Sequence, residues 1–306
     1  MEKKYKFVLT PKSFFSDIFS SDTIFGIICW YVRYIYGESK LLEMLKKFDN
    51  EPPFIISSFI PNGFMPKPQV TFKQKDSIKE IENDKKFKSI QWLPLRAFIN
   101  YQNNYDQDKV IHELSNNGQA TIAEEFEITR NAINRNTGTV LEGILFTDTY
   151  YYTNMTFNVY VTLFDDSYED ILKNAFITAC QMGLGSEASI GKGIFDCSVE
   201  ELNNDEKQIF STKSKSYVTL SLCAGSNLQP ISYSTFTKYG KLGGEFGQAG
   251  IDGIRLFNKK PIVFYKEGST FVSNHPVEGT IIKNIHIDPR IVQYAYAYPV
   301  YFNLSN

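Results

Sequence analysis

The chain has 306 residues, enough for one large domain or two of ordinary size, and 42% of them are hydrophobic, so a sizeable core can form. Its 32 lysines and arginines are balanced by 34 aspartates and glutamates, which excludes a broadly basic nucleic-acid coat and leaves only a local site for RNA or DNA. The amino terminus is too polar for a signal peptide and no apolar run approaches membrane length, so we expect a cytoplasmic protein without membrane association.

Cysteine and histidine spacings predict neither a disulfide framework nor a metal centre. The cysteines contain no C-x-x-C pair, and the histidines show no metal-ligand spacing with each other or with a cysteine. These residues are Cys29, Cys180, Cys197, Cys223, His112, His275 and His286. We therefore expect reduced cysteines, no bound metal and no cofactor.

The first elements expected along the chain are a strand and a capped helix. Tyr5, Phe7 and Leu9 recur at every second position, which is typical of a half-buried strand. The serines before Asp22 can cap a helix that carries one apolar stripe and ends at Gly37. A strand followed by a capped helix is how a ferredoxin-like β-α-β unit begins.

The middle of the chain is expected to supply two more strands, a hairpin and a second helix. The sequence predicts a strand over 54–60, a solvated helical insertion over 73–88, a hairpin with arms 126–134 and 139–146, a strand over 156–164 and a helix over 168–182. The order β-α-β-β-α-β therefore fits residues 1 to about 200, with long loops inserted.

A glycine-rich loop follows that helix and leads into a short strand. Gly183, Gly185 and Ala188 match the dinucleotide pattern G-x-G-x-x-G/A, and residues 191–192 resemble part of a Walker A loop. Both nucleotide motifs are excluded because the loop leaves a helix C-terminus, where the helix dipole disfavours phosphate, and because Gly193 stands where a P-loop needs Ser or Thr. Two interpretations stay open: a loop whose N–H groups approach another backbone, and an ordinary turn with surplus glycine.

The second half is expected to be rich in short strands. Polar residues 203–216 predict a boundary between a first domain, residues 1–205, and a second domain, residues 206–306. Strands are predicted over 217–223, 261–265, 281–287 and 291–302. The last of these carries three tyrosines on one face, where a sheet surface or an interface is favoured over a base-stacking role.

Four segments occur in the order found in RAMP-superfamily CRISPR proteins. They are Ser21-Asp22-Thr23-Ile24-Phe25-Gly26, Phe64-Met65-Pro66-Lys67-Pro68, Ile133-Asn134-Arg135-Asn136-Thr137-Gly138 and the loop before Gly191-Lys192-Gly193. Over nearly its whole length the sequence resembles the fourth subunit of the type III-A (Csm) interference complex, a relative of the Cas5 group. It departs from the family pattern at Asn134, which replaces an aspartate, and in carrying serine before the first helix where many relatives have histidine.

The resemblance implies an α+β protein built from two ferredoxin-like (RRM-like) folds, with a β-hairpin thumb at about residues 126–146 that bends the crRNA where tag meets guide. It implies a non-catalytic subunit that binds the repeat-derived 5′ tag of crRNA and caps the foot of the backbone filament. Such a subunit joins the large polymerase-domain subunit to the first backbone RAMP subunit. It meets target RNA only indirectly, through the assembled complex.

Carried over position by position, the resemblance also implies a set of RNA contacts. Glycines let the ribose-phosphate backbone come close, serine hydroxyls and amides donate to phosphate oxygens, and lysine and arginine add local positive charge. The implied RNA-binding residues are Ser21, Lys67, Arg130, Asn131, Asn134, Arg135, Thr137, Gly183, Gly185, Ser186, Ser189, Gly191, Lys192, Gly193, Gly244, Gly247 and Gly250. A structural turn is an equal alternative for Lys67, and a solvated arm with incidental arginines is the alternative for the hairpin.

Two other functions stay open. A RAMP endoribonuclease that trims precursor crRNA needs a general acid and a general base, usually histidine, and none of the three histidines is placed for that task. The equivalent subunit of a type III-B complex would share the same physical chemistry and differ in its partners. We expect the non-catalytic subunit.

Overall fold

The computed structural model describes residues 2–70, 85, 88–103, 110, 121–185, 187–247, 250–251, 254–255 and 257–303. The predicted insertion over 73–88 lies largely outside these residues, as do His112 and Ser186. The elements of the first half are β1 (Lys3–Pro11), α1 (Ser21–Tyr36), α2 (Glu38–Lys47), β2 (Phe54–Ile56), β3 (Ile60–Pro61), β4 (Phe64–Pro66), β5 (Trp92–Pro94), α3 (Leu95–Gln102), β6 (Glu124–Ile133), β7 (Val140–Tyr152), β8 (Phe157–Leu163), α4 (Glu169–Met182) and β9 (Phe195–Glu200).

Helix and strand bounds in the second half begin with α5 (Asn204–Ser211). The strands that follow are β10 (Ser216–Thr219), β11 (Gln229–Ser232), β12 (Thr235–Lys238), β13 (Gly250–Ile251), β14 (Ile254–Arg255), β15 (Ile262–Tyr265), β16 (Thr270–Val272), β17 (Gly279–Ile282), β18 (Gln293–Tyr296) and β19 (Pro299–Tyr301). After α5, the only helical element in the described part of the chain is a 3-10 turn, Gly244–Gly247. None of the described helices is long and apolar enough to cross a membrane.

A five-stranded antiparallel sheet organises the first half, in the order β2–β8–β1–β9 with β3 also paired to β8. The central strand β8 buries all of its residues, as expected for a strand covered on both faces. Strand β1 buries Tyr5, Phe7 and Leu9, the alternating residues that predicted it. The expected mixture of helices and strands is confirmed, and none of the described strand pairs is parallel.

Helices α1 and α4 pack together and bury the apolar stripes that predicted them. Phe176 of α4 meets Phe7 of β1 edge to face, with ring centroids 4.8 Å apart, so α4 lies against the sheet. The predicted stops are confirmed: Gly37 (φ +89°) and Gly183 (φ +102°) follow the last helical residues, and each donates its N–H back to a carbonyl four residues earlier.

The second half shares the main core of the first, and it also holds two small clusters of its own, around Phe271 and around Phe264. Its four-stranded sheet has the order β11–β16–β10–β19, and buried residues from Tyr5 to Phe302 form one continuous cluster. Tyr294, Tyr296 and Tyr298 belong to this cluster, and the Tyr294 ring stacks on Phe25 with centroids 4.8 Å apart. These tyrosines therefore do not lie on a sheet surface; they form an internal interface between the two halves.

The predicted boundary over 203–216 contains a helix that the sequence analysis missed. Asn203 and Glu206 form a capping box at the start of α5, with each side chain accepting from the other's backbone N–H at 2.9 Å. Glu206 is buried, and its Oε1 accepts from Lys6 Nζ and from Tyr160 Oη, both at 2.9 Å. The helix therefore fastens the start of the second half to the sheet of the first.

Candidate functional site

The inner side of the glycine-rich loop is held by backbone contacts within the protein. Leu184 N donates to Gly193 O at 2.8 Å, and Gly193 N donates to Phe14 O at 2.7 Å. A Cβ on Gly193, at φ +72°, would overlap the Leu184 carbonyl oxygen. One on Gly183 would lie 2.8 Å from the Lys192 carbonyl oxygen. These two glycines allow the chain to approach itself.

The outer side of the loop is open. Gly185, Ser189 and Gly191 are exposed, whereas Ser186 between them lies outside the described residues. Gly191 ends the 3-10 turn Ala188–Ile190 in the left-handed conformation (φ +77°), and a Cβ built there meets no described atom within 4 Å. Another molecule could therefore approach the backbone at Gly191. At Gly193 the Leu184 carbonyl group already fills that space.

The hairpin predicted over 126–146 is longer in the structure and forms a two-stranded sheet of its own from β6 and β7. Its base is held by aromatic contacts, because the Phe14 ring lies 5.3 Å from Phe126 and 5.6 Å from Tyr152. Its outer part is exposed and unusually apolar. The exposed large hydrophobic residues there are Ile133, Val140, Leu141, Ile144, Leu145 and Phe146.

The tip of the hairpin carries the predicted polar residues. The Asn134 side chain accepts from the Asn136 N–H at 2.9 Å, which fixes the turn, and Thr137 Oγ1 lies 2.8 Å from Thr139 Oγ1. Arg135 is exposed and has no ion pair with any residue the structure describes. Asn131 is exposed on β6. The tip therefore offers a cation and amides to solvent.

The hairpin and the glycine-rich loop meet in five side chains, Arg130, Asp148, Tyr150, Glu187 and Lys192, which we call the junction cluster. Arg130 Nη1 donates to Glu187 Oε2 at 3.2 Å, its Nε lies 3.4 Å from Asp148 Oδ2, and its Nη2 donates to Tyr150 Oη. Lys192 Nζ lies over the Tyr150 ring, 2.9 Å from the centroid. The glycine-rich loop and the hairpin, which were predicted separately, are therefore in direct contact.

The junction cluster changes the acidity of its members. Burial lowers the pKa of Lys192, and the charge of Arg130 lowers it further, while Glu187 and Asp148 act in the opposite direction. Burial raises the pKa of Tyr150, as does the nearby Glu187 carboxylate. The Tyr150 hydroxyl therefore keeps its proton at neutral pH, and its Oη lies 3.3 Å from Glu187 Oε2 as a hydrogen-bond donor.

Sequence reasoning missed Tyr150 and Glu187. The alternation of β7 could have placed Tyr150 on the same face as its neighbour Asp148, two residues away. Nothing local to Glu187 indicates that it pairs with Arg130, because the two residues are 57 positions apart.

Ser21, by contrast, is not on the surface. It is completely buried; its backbone N donates to Ser58 Oγ at 3.0 Å and its own hydroxyl donates to Leu222 O at 3.4 Å. The neighbouring Asp22 is also buried and accepts from Lys238 Nζ at 2.8 Å. In this structure the Ser-Asp-Thr motif joins the two halves and offers no side chain of Ser21 to RNA.

Of the predicted glycines of the second half, Gly244 lies beside α1. A Cβ on Gly244 (φ +57°) would lie 2.7 Å from the Trp30 ring, and Phe246 lies 5.7 Å from that ring between centroids. Gly247 ends the 3-10 turn and Gly250 begins β13. Gly244 therefore serves close packing on Trp30, and its role as an RNA contact has no support from its position.

Lys67 is also buried, with 3% of its surface exposed, so it cannot present its ammonium group to RNA in this structure. Its backbone N–H donates to Gln91 O at 2.9 Å, and a Cβ on Gly268 would overlap its carbonyl oxygen. The burial of Lys67 therefore fits a structural turn better than an RNA contact.

Burial of Lys67 should make stability rise at alkaline pH. Burial, followed by the charge of Lys88, lowers the pKa of Lys67 from 10.5 to about 8. Between these values the unfolded chain holds more protons than the folded chain, so the free energy of unfolding rises with pH. We expect Lys67→Met to flatten this alkaline rise in the free energy of unfolding.

Urea unfolding across this pH window measures the effect. The exposed lysine variant Lys213→Met is the control and should keep the wild-type profile. A Lys67→Met profile that rises as steeply as the wild type would contradict the expectation.

Comparisons with known proteins identify a family and two similar folds. A model of the RAMP superfamily matches residues 9–196. A chain of a Csm1–Csm4 cassette in complex with cA4 has a TM-score of 0.61 at 16% identity, covering 99% of this chain and 100% of that chain. A chain of the Csm3–Csm4 subcomplex of the type III-A CRISPR-Cas interference complex has a TM-score of 0.64 at 16% identity, with 98% and 100% covered.

The comparison with curated proteins finds no significant match. At 16% identity the two structural likenesses show a shared fold, and Csm4 is the component that the two complexes have in common. The family model covers more than half of the chain. The chain therefore belongs to the RAMP superfamily.

Proposed function

We propose that the chain is the non-catalytic, crRNA-binding RAMP subunit of a type III-A effector complex, with the role that Csm4 has in its own complexes. In this role it binds the repeat-derived 5′ tag of the crRNA, caps the backbone filament and links it to the large polymerase-domain subunit. The observation that carries the proposal is the junction cluster, because it joins the hairpin and the glycine-rich loop into one surface. The Csm4-like fold supports the choice of type III-A.

We interpret the first half as a ferredoxin-like domain. Its strand order β2–β8–β1–β9, with α1 and α4 in the two crossovers, supports this interpretation. The hairpin of β6 and β7 is inserted before β8 and corresponds to the thumb over 126–146. For residues 206–306 we keep the second ferredoxin-like domain as a proposal that rests on the family alone, since the described elements there are short strands apart from the end of α5 and one 3-10 turn.

The exposed groups of this surface suit single-stranded RNA. The hydroxyl of exposed Ser189 can donate to a phosphate oxygen, and the open space at Gly191 allows a ribose-phosphate backbone to come close. The Gly191 N–H itself donates to Ala188 O at 3.0 Å, so Gly191 contributes access and not a hydrogen bond. Arg135 at the hairpin tip can stack on a base or pair with a phosphate. The apolar hairpin residues next to it can pack against bases that leave the stack.

The geometry favours a binding role over an endoribonuclease. Metal-free RNA cleavage uses a general acid and base, most often histidine. His275 lies in the turn capped by Glu278, and His286 Nδ1 accepts from the Asp288 N–H at 3.0 Å, so neither described histidine belongs to the junction cluster. Target cleavage and signal synthesis are then left to neighbouring subunits.

Binding of tag RNA should depend on the two hairpin arginines. We expect Arg130→Gln/Arg135→Gln to weaken binding of an RNA with the repeat-derived 5′ tag by about tenfold or more, because two phosphate or stacking contacts are lost. Fluorescence anisotropy at fixed salt measures the affinity. Lys213→Gln/Lys215→Gln removes the same charge from exposed positions in the second half and should change the affinity less than about twofold.

Two results would contradict the proposal. One is equal binding by the arginine variant and the wild type. The other is cleavage of the RNA by the pure subunit that is lost in His275→Ala or His286→Ala, which would favour the endoribonuclease. Co-purification with type III-B partners in place of type III-A partners would assign the chain to the other complex.

A further inference from the structure

The glycine-rich loop carries a negative charge at the place where the proposed function needs a phosphate. Glu187 precedes the 3-10 turn that presents Ser189 and Gly191, and its backbone carbonyl accepts from Lys192 N at 3.3 Å. Its carboxylate points to the hairpin and accepts from Arg130 Nη1 at 3.2 Å. A fixed carboxylate there would repel RNA, so the pair needs an explanation other than RNA binding itself.

The carboxylate of Glu187 lies among groups that can bind an anion. It faces two donors, the Arg130 guanidinium and the Tyr150 hydroxyl, and Lys192 Nζ lies over the Tyr150 ring. Guanidinium and hydroxyl donors around one anionic oxygen also suit a phosphate oxygen. Arg130 keeps a second partner in Asp148, 3.4 Å from its Nε, so it would stay oriented if Glu187 left.

We propose that Glu187 occupies the RNA phosphate site of the free protein, and that an RNA phosphate replaces its carboxylate on Arg130. This inference rests on the proposed function, since it names how that same site is regulated. In the free protein the pair holds the hairpin against the glycine-rich loop. When RNA binds, a phosphate makes the same bridge and the Glu187 side chain turns to solvent.

The exchange is energetically reasonable because the pair is near the surface. The side chains of Arg130 and Glu187 are 28% and 30% exposed, and ion pairs in such positions contribute about 0–1 kcal/mol. A weak anion gains little by displacing Glu187. An RNA that also contacts Gly191 and the hairpin tip gains several contacts at once, so the exchange favours RNA over small anions.

The exchange predicts that neutralising Glu187 strengthens RNA binding. We expect Glu187→Gln to bind the tag RNA about three- to tenfold more tightly at low salt, because the competing carboxylate is gone while the amide can still accept from Arg130. Glu201→Gln is the matched control. It removes the same charge from a side chain that is 93% exposed at the far end of β9, and it should leave the affinity unchanged.

A double-mutant cycle separates displacement from simple charge repulsion. If Glu187 acts by occupying Arg130, the gain from Glu187→Gln should disappear when Arg130→Gln is already present. A gain that persists beside Arg130→Gln would overturn the inference, since it would reflect repulsion at a distance.

The remaining outcomes are also decisive. Unchanged or weaker binding by Glu187→Gln, with normal binding by the wild type, would overturn the exchange and leave the proposed function intact. Absence of tag binding by the wild type and by all variants would overturn the proposed function and the exchange together. Binding by Glu187→Gln alone would support the exchange in its strongest form.

Discussion

Replacing Gly193 by alanine is expected to disrupt the glycine-rich loop, whereas the same change at Gly191 should leave the fold intact. At Gly193 the added Cβ overlaps the Leu184 carbonyl oxygen and the backbone is in the left-handed region, so we expect a loss of about 2–4 kcal/mol of unfolding free energy. At Gly191 the space is open, and only the conformational cost of about 1 kcal/mol applies. Thermal unfolding of the two variants measures the difference.

For RNA binding, in contrast to stability, we expect substitutions at Gly191 to have a large effect. Variants at Gly191 add a side chain where we propose that the ribose-phosphate backbone approaches, so they should weaken tag binding more than Lys192→Ala, which removes one salt-sensitive contact. Gly191→Asn is the informative variant, because asparagine tolerates the left-handed conformation and separates steric blocking from backbone strain. Normal tag binding by a folded Gly191→Asn protein would make this loop an ordinary turn.

The parts of the fold that were predicted correctly depend on local patterns. In α1 and in α4, the apolar stripe and the glycine that ends the helix are close together in the sequence. Periodicity and capping chemistry are therefore enough to predict each helix. Helix α5 has only Ile209 and Phe210 as large apolar residues, and its stability comes from the capping box and the buried pair with Lys6. A distant partner of that kind leaves no local signal.

The difference between local patterns and distant contacts also explains which parts of the candidate site could be predicted. The glycine-rich loop and the hairpin were predicted one at a time, and their union through Arg130 and Glu187 depends on a contact between residues far apart in sequence. Ser21 and Lys67 were assigned to RNA by their place in family motifs. Their burial shows that a motif position can serve the interface between two halves of a protein as well as a ligand.

Breaking the buried pair between Lys6 and Glu206 is expected to destabilise the whole protein. Their side chains are 6% and 1% exposed, and the Tyr160 hydroxyl donates to the same carboxylate oxygen. Glu206→Ala would leave the Lys6 ammonium buried without its partner and would also remove the capping-box bond that the Glu206 side chain accepts from the Asn203 N–H. Because an uncompensated buried charge costs about 3–5 kcal/mol, we expect a loss of that size in urea unfolding.

The charge and the capping box can be separated by a second pair of variants. Glu206→Gln keeps the side-chain length and a carbonyl oxygen for the Asn203 N–H, so it should lose stability mainly through the unpaired Lys6. Adding Lys6→Met removes that charge, and replacing a buried ion pair by groups of similar volume is often neutral. The double variant should therefore recover most of the stability lost in Glu206→Gln. If it is no more stable than Glu206→Gln, the buried charge does not hold α5 to the sheet, and packing alone joins the two halves.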